Sequence, residues 1–333
     1  MGHMNYKRVS KRIIEELKST IEVARVTSLM GALNTLLGKI DIQIMVHNGH
    51  IEHNWIKKQL MKKHTIMNEY FSKTCMDIEE KDKYIIPMQD NEYKDCIWIC
   101  WWQGLEKAPD IVKSCINSIK KHAGNHKVVI ITDDNCSDFI TFPNWIEDKR
   151  RAGVISKTHI SDLLRLSLLA RYGGMWLDST FFCTDDLEEY FTSPVWSIKR
   201  PDYRHTSVAC GNFANYSFGC NSDNRKVFAT LLDYLLQYWK THDYMVDYLF
   251  LDYLIVQAQQ NSKEVADAFG EIAPNNPECD ELLKVLENPF DEQLWDKLTK
   301  DTRLFKLTWK ASFSKEVNGR QTFYGKLLEG SLN

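Results

Sequence analysis

One stretch limits the folds open to this chain more than any other. It runs His159-Ile160-Ser161-Asp162-Leu163-Leu164-Arg165 and then Tyr172-Gly173-Gly174-Met175-Trp176-Leu177-Asp178-Ser179-Thr180. Leu163, Leu164, Leu166, Leu168 and Leu169 leave little polar surface on the helix predicted there, so it is buried nearly all round. Two glycines stop it. The short apolar run that follows reads as a core strand ending on a carboxylate. A helix leading straight into such a strand is the building unit of a mostly parallel sheet with helices on both faces. A buried carboxylate is costly unless something satisfies it. In open α/β sheets ligands bind at the carboxyl ends of the strands. Chemistry favours a metal ion, a sugar hydroxyl or both beside Asp178.

The rest of the chain extends that pattern. Cys96 to Trp102 reads as a strand, Pro109 to about His122 as a helix opened by a first-turn proline, and Lys127 to Thr132 as a second strand. Ser156 to Arg171 is the buried helix, and Met175 to Phe182 the strand that carries Asp178. Further strands are expected near 194–200 and 205–219, with long helices over about 223–240 and 243–260. Residues 262–302 are acidic and helical. Ahead of the α/β pattern, residues 5–80 read as helices. Ile13, Ile14, Leu17 and Ile21 recur at helical spacing beside Lys7, Arg8, Lys11 and Arg12. Ile56, Leu60 and Met67 repeat this beside Lys57, Lys58, Lys62 and Lys63. A boundary near 85 therefore divides a helical N-terminal region, 5–85, from an α/β body, 86–333. Met1-Gly2-His3-Met4 reads as a cloning scar.

Composition narrows the class. The 333 residues can form one large or two medium domains. No apolar stretch is long enough to span a bilayer, and no signal peptide is visible. The nine cysteines are odd in number and include no CxxC pair, which points to reduced thiols in a cytosolic protein. The net charge of −3 hides an asymmetry: residues 5–72 hold eleven Lys/Arg against six Asp/Glu. A basic end on an acidic body suggests contact with an anionic surface, such as the inner face of a membrane, rather than with nucleic acid. A solvated helix face gives the same pattern.

Several chemistries are excluded. No GxGxxG or GxxxxGK[ST] occurs, so neither a dinucleotide fingerprint nor a P-loop is present. Local Ser-His-Asp and Cys-His nucleophile motifs are missing. Asp178-Ser179-Thr180 lacks the second aspartate of phospho-aspartate enzymes. His47, His50 and His53 step by three and converge poorly on a tetrahedral site. Asp162 and Arg165, three apart, face the same way on their helix; they form either an internal ion pair or a functional pair that meets Asp178 at one sheet edge. Strand alternation puts Trp98 and Trp102 on one face and Trp101 on the other.

These segments together resemble a known family. Trp98-Ile99-Cys100-Trp101-Trp102-Gln103-Gly104, Ala108-Pro109, Ser161-Asp162-Leu163-Leu164-Arg165 and Tyr172-Gly173-Gly174-Met175-Trp176-Leu177-Asp178 are similar to the bacterial capsular polysaccharide synthesis glycosyltransferases of glycosyltransferase family 32. The Ser-Asp-x-x-Arg helix and Gly-Gly-x-x-x-Asp strand also resemble the glucosyltransferase domains of large clostridial toxins. The resemblance covers about 95–185 well and Leu307-Thr308-Trp309-Lys310 weakly; residues 5–85 carry none of it. It implies a GT-A fold, a UDP-hexose donor (galactose or glucose), a divalent cation (Mn2+ or Mg2+) and retention at the anomeric carbon. It implies a lipid-linked glycan acceptor on a polyprenyl diphosphate at the cytoplasmic membrane face. Asp162 and Arg165 would hydrogen-bond the donor hexose, with Ser161 and Trp176 beside them. Asp178 would touch ribose, sugar and metal, and Trp101 or Trp102 would stack on uracil. The chain departs from the family at Thr180, where the second aspartate of Asp-x-Asp is expected as a metal ligand. Lys310 or Lys326 could neutralise the leaving diphosphate instead. Asn212, Asn215 and Asp252 are candidates for the sugar's other face. A non-catalytic nucleotide-sugar or glycan binder, and a toxin-like enzyme that glycosylates protein, remain the alternatives.

Overall fold

The computed structural model describes residues 6–47, 53–75, 86–201 and 207–332 of the chain, with side chains from Arg12 in the first helix and as far as Met45 in the second. The proposed scar, His50 and most of the boundary region near 85 lie outside the described residues.

Three helices come first: α1 (Tyr6–Val26), α2 (Leu29–His47) and α3 (Asn54–Thr74). The body opens with β1 (Ile97–Cys100), α4 (Asp110–Lys121), β2 (Val128–Ile131), α5 (Cys136–Phe139) and α6 (Asn144–Arg151). The central unit is α7 (Lys157–Tyr172), β3 (Gly174–Leu177) and β4 (Phe181–Cys183), followed by α8 (Glu188–Phe191), β5 (Val195–Ser197) and β6 (Ser217–Cys220). Helices α9 (Arg225–Thr241), α10 (Phe250–Asn261), α11 (Lys263–Gly270), α12 (Glu281–Val285) and α13 (Glu292–Thr299) lead to β7 (Leu304–Lys306), the small hairpin β8 (Glu316–Val317) and β9 (Arg320–Gln321), and α14 (Phe323–Glu329).

The main sheet has the order β2-β1-β3-β6-β5. Strand β1 pairs in parallel with both β2 and β3, but β6 runs antiparallel to β3 and to β5. The sheet is thus mixed rather than mostly parallel in its pairing. The cause is chain routing: β6 is reached through the turns after β5 rather than by a helical crossover, so it enters from the opposite end. Both faces are covered. Ile97, Ile99, Met175 and Leu177 belong to one apolar cluster with α4 and α14, whereas Trp98 and Trp176 belong to another with α7, α9 and α10. The alternation expected for Trp98 and Trp102 against Trp101 appears in the same division.

Glycine fixes the α7–β3 turn. Gly173 and Gly174 have φ of +72° and +86°, and a Cβ on Gly174 would meet the Cys96 carbonyl oxygen at 2.1 Å. Only glycine lets β3 lie that close to β1. The expected strand over 175–182 is broken, however. The Asp178 amide still follows the β3–β6 register, donating to Tyr216 O at 3.1 Å, but the chain then turns, Phe181 N closing on Asp178 O at 3.0 Å. The expected helix over 243–260 begins only at Phe250, because the Asp247 carboxylate takes the Leu249 amide at 2.9 Å in the preceding turn.

Helices α1–α3 pack against the body. Val23, Ala32, Met67, Tyr70 and Phe71 share the α7–α9–α10 cluster, and Phe71 stacks on Tyr253 at 5.4 Å. Lys63, expected among surface cations, is instead fully buried and paired with Asp247 at 2.8 Å. It lies one turn from Leu60 and Met67 and two turns from Ile56, on the face that α3 turns into the core.

Candidate functional site

The site grows from the α7–β3 hairpin. Five residues of strand from Gly174 to Asp178 cover ~16 Å. A helix doubling back from the same turn regains that length in about ten residues, which is the neighbourhood of Asp162 and Arg165. Ser156 starts α7 by accepting the His159 amide, a standard N-cap.

The three residues converge. Arg165 Nη2 lies 3.1 Å from Asp162 Oδ1 and 3.8 Å from Asp178 Oδ1. Arg165 Nη1 donates to the Asn215 carbonyl and, at 3.2 Å, to Asn215 Oδ1. Its guanidinium lies 5.3 Å from the Trp176 ring, and Trp176 Nε1 donates to Asp178 Oδ1 at 3.1 Å. Trp176 therefore fixes the aspartate from within the core. On the other side of Asp162, His159 Nδ1 stands 3.1 Å from Oδ2. Asn215 Nδ2 donates to Asp252 Oδ1 at 2.7 Å. The meeting point is the carboxyl end of the central strand β3, not a lateral edge of the sheet.

The second oxygen of Asp178 carries the main surprise. Lys306 Nζ lies 3.2 Å from Asp178 Oδ2 and donates to Thr180 Oγ1 at 2.7 Å. Strand β7 places it there by pairing with β4, Phe181 opposite Lys306. Burial opposes ionisation of Asp178, but the Lys306 ammonium, the Arg165 guanidinium and the Trp176 N–H hold its carboxyl below the usual range. Asp252 behaves in the opposite way. Burial pushes it up to about 7 against the hydrogen bond from Asn215, and the Asp162 charge adds to the rise.

The other candidates take several positions. Trp102 Nε1 donates to Ser161 Oγ at 2.9 Å, and Ser161 Oγ donates to Lys157 O. Trp101 meets Trp309 edge-on at 5.6 Å, and its buried Nε1 has no hydrogen-bond partner among the described residues; Arg165 Nε is in the same condition. Lys310 is exposed in the turn after β7, and Lys326 lies over the Phe290 ring on α14. The lysine that reaches Asp178 is Lys306. Asn215 and Asp252 join the network, whereas Asn212 is exposed on the turn before it. His53 is exposed at the start of α3, the His47 side chain and His50 being outside the described residues.

The side chains at Asp178 do not fit a divalent cation well. Hard cations gather several oxygen ligands, usually more than one carboxylate. Here one carboxylate and one hydroxyl both face an ammonium, and among the described residues no group of three His, Cys, Asp or Glu could hold a metal ion. None of the nine cysteines forms a disulfide, and burial pushes the thiols of Cys75, Cys183 and Cys279 up to about 12.

Comparison with known proteins gives one decisive match. Residues 46–327 match the family described as "Capsular polysaccharide synthesis protein". No curated protein matches. Among solved structures, the chain is similar to the "PaToxG Glycosyltransferase" at 14% identity and a TM-score of 0.37, over 74% of this chain and 96% of that one. It is also similar to the "WbbM bifunctional glycosytransferase apo structure" at 11% identity and a TM-score of 0.39, over 96% of this chain and 71% of that one.

Proposed function

The chain belongs to the family of capsular polysaccharide synthesis proteins, and from that premise we propose that it is a retaining glycosyltransferase of GT-A type, moving galactose or glucose from a UDP-sugar to a hydroxyl of a lipid-linked glycan. The observation that carries this reading is the convergence of Asp162, Arg165 and Asp178 at the end of β3, with Arg165 Nε left as an open donor beside them. A buried guanidinium N–H without a partner is costly, and a polar ligand such as a sugar hydroxyl satisfies it.

In the reaction the anomeric carbon–oxygen bond breaks and its electron pair leaves on UDP. The acceptor oxygen forms the new bond, and its proton departs with the diphosphate. Asp162 and Arg165 orient the hexose. Asp178, held ionised by its neighbours, faces the positive charge that develops at the anomeric carbon. Trp101 is the ring for uracil, since Trp102 is tied to Ser161.

The exposed N-terminal helices support a membrane-bound acceptor. Ile13, Ile14, Leu17 and Ile21 on α1 are 53–59% exposed. Met30, Leu33, Leu37, Ile40 and Ile44 form a second open row on α2 at steps of three and four. Arg12, Lys18 and Arg25 on α1 and Lys58 and Lys62 on α3 are exposed as well. Apolar rows accompanied by cations suit one occupant, the anionic inner face of the plasma membrane. No helix among the described residues is long and apolar enough to cross it.

Slow hydrolysis of a nucleotide-sugar panel tests the assignment. UDP-glucose or UDP-galactose is cleaved to UDP, and GDP- and CMP-sugars are not. Equal cleavage of all donors, or of none, contradicts it.

A further inference from the structure

We propose that Lys306 does at the leaving diphosphate what a divalent cation does in related transferases, so that this enzyme turns over without metal. The inference rests on the reading of the site as a nucleotide-sugar site and goes beyond it.

The ammonium occupies the place where an Asp-x-Asp pair would hold its ion. It lies between Asp178 Oδ2, at 3.2 Å, and Thr180 Oγ1, at 2.7 Å. A dication on Asp178 would have to share that carboxylate with a cation already in contact with it, and the two would repel. Thr180 offers only a neutral oxygen, and one of its two lone pairs already accepts from Lys306.

Lys306 is not a loose surface lysine. Its strand is pinned to β4, and the next amide, Leu307 N, donates to Thr180 O at 2.9 Å. Its Nζ lies 5.5 Å from the Phe181 ring and 5.4 Å from the Tyr216 ring. Yet its side chain remains 21% exposed, so a ligand can reach it. An ammonium has three N–H donors. Asp178 and Thr180 take two, and the third is left for an oxygen of the diphosphate. As the anomeric bond breaks, the electron pair moves onto that diphosphate. A fixed positive charge there stabilises the transition state more than the bound sugar nucleotide.

The test combines calorimetry and turnover on the full chain. UDP, UMP and uridine are titrated into wild type, Lys306→Gln and Lys306→Arg, in excess EDTA and again in Mn2+, and UDP-hexose hydrolysis is followed under both conditions. Melting temperatures check that each variant is folded. The proposal expects wild-type UDP affinity and hydrolysis to change less than about two-fold with EDTA. It expects Lys306→Gln to lose about 10–100-fold in both while its uridine affinity is unchanged, and Lys306→Arg to recover part of the loss. Hydrolysis that EDTA abolishes and Mn2+ restores overturns the proposal and leaves the transferase reading standing. So does a folded Lys306→Gln that binds and cleaves like wild type. If no nucleotide binds under either condition, the nucleotide-sugar reading itself has failed, and this proposal with it.

Discussion

Asp252 is the residue whose chemistry the fold changes most. Its carboxyl titrates at about 7 instead of the ordinary 3.8, chiefly because it is buried. The raised value means that the folded state favours the protonated form. The unfolded chain ionises from about pH 4 upward while the folded chain does not, so the contribution is full below pH 4 and is lost as pH rises to 7. Asp252→Asn removes this loss and can still accept from Asn215. Its stability advantage over wild type is expected to grow between pH 4 and pH 7, by at most about 1.4 kcal/mol per pH unit, and to stay level above pH 8. Urea midpoints at four pH values check this; a constant difference would mean that Asp252 is ionised throughout. Asp252 also shows what sequence can and cannot reveal. Asp162 and Arg165 sit three apart on one helix and Asp178 follows one turn later, so local geometry already brings them together. Lys306 meets Asp178 across 128 residues and Arg165 meets Asn215 across 50. Such contacts depend on strand pairing, which no local spacing encodes. The only trace of Lys306 is a lone cation closing the apolar run Leu304-Phe305.

At the scale of elements, α1 and α3 carry the same kind of amphipathic pattern and meet different fates. The apolar row of α3 is buried against α10, taking Lys63 with it, whereas that of α1 stays open. Periodicity identifies a face but not what covers it. The buried pair Lys63–Asp247 gives the docking of α3 a measurable handle. Lys63→Met removes the contact partner of the buried Asp247 carboxylate, leaving it the Leu249 amide and the field of Lys39, and should lower unfolding stability by about 3–5 kcal/mol in a urea titration. Adding Asp247→Leu should restore most of it. If the single variant loses less than 1 kcal/mol (about the value of an exposed pair), the pair does not hold the helix. The open rows make a separate prediction. Wild type should float with anionic liposomes at low salt, and Leu33→Asp/Leu37→Asp should stay behind with its donor hydrolysis intact. Each cation near the surface adds about 1 kcal/mol at most, so high salt should weaken flotation without abolishing the apolar part. Sedimentation of wild type away from liposomes at low salt would mean that these rows meet something other than lipid.

The whole molecule is a mixed sheet buried on both faces, whose central strand ends in the candidate site. Its helix–glycine–strand unit was readable because each step has a local cause: a helix with enough leucine to be buried nearly all round, two glycines that no other residue can replace, and a strand with no polar residue before Asp178. The reversed strand β6 was not, because its direction depends on the route of the turns before it. That reversed strand nonetheless completes the site, since it carries Tyr216 and Asn215 to Asp178 and Arg165. The central claim, that the charge at Asp178 serves sugar transfer, is tested most directly by kcat for UDP-hexose hydrolysis in Asp178→Asn. The substitution keeps the shape and removes the charge. The variant should melt within a few degrees of wild type and lose at least about 100-fold in kcat. A folded Asp178→Asn with near-normal kcat would contradict it.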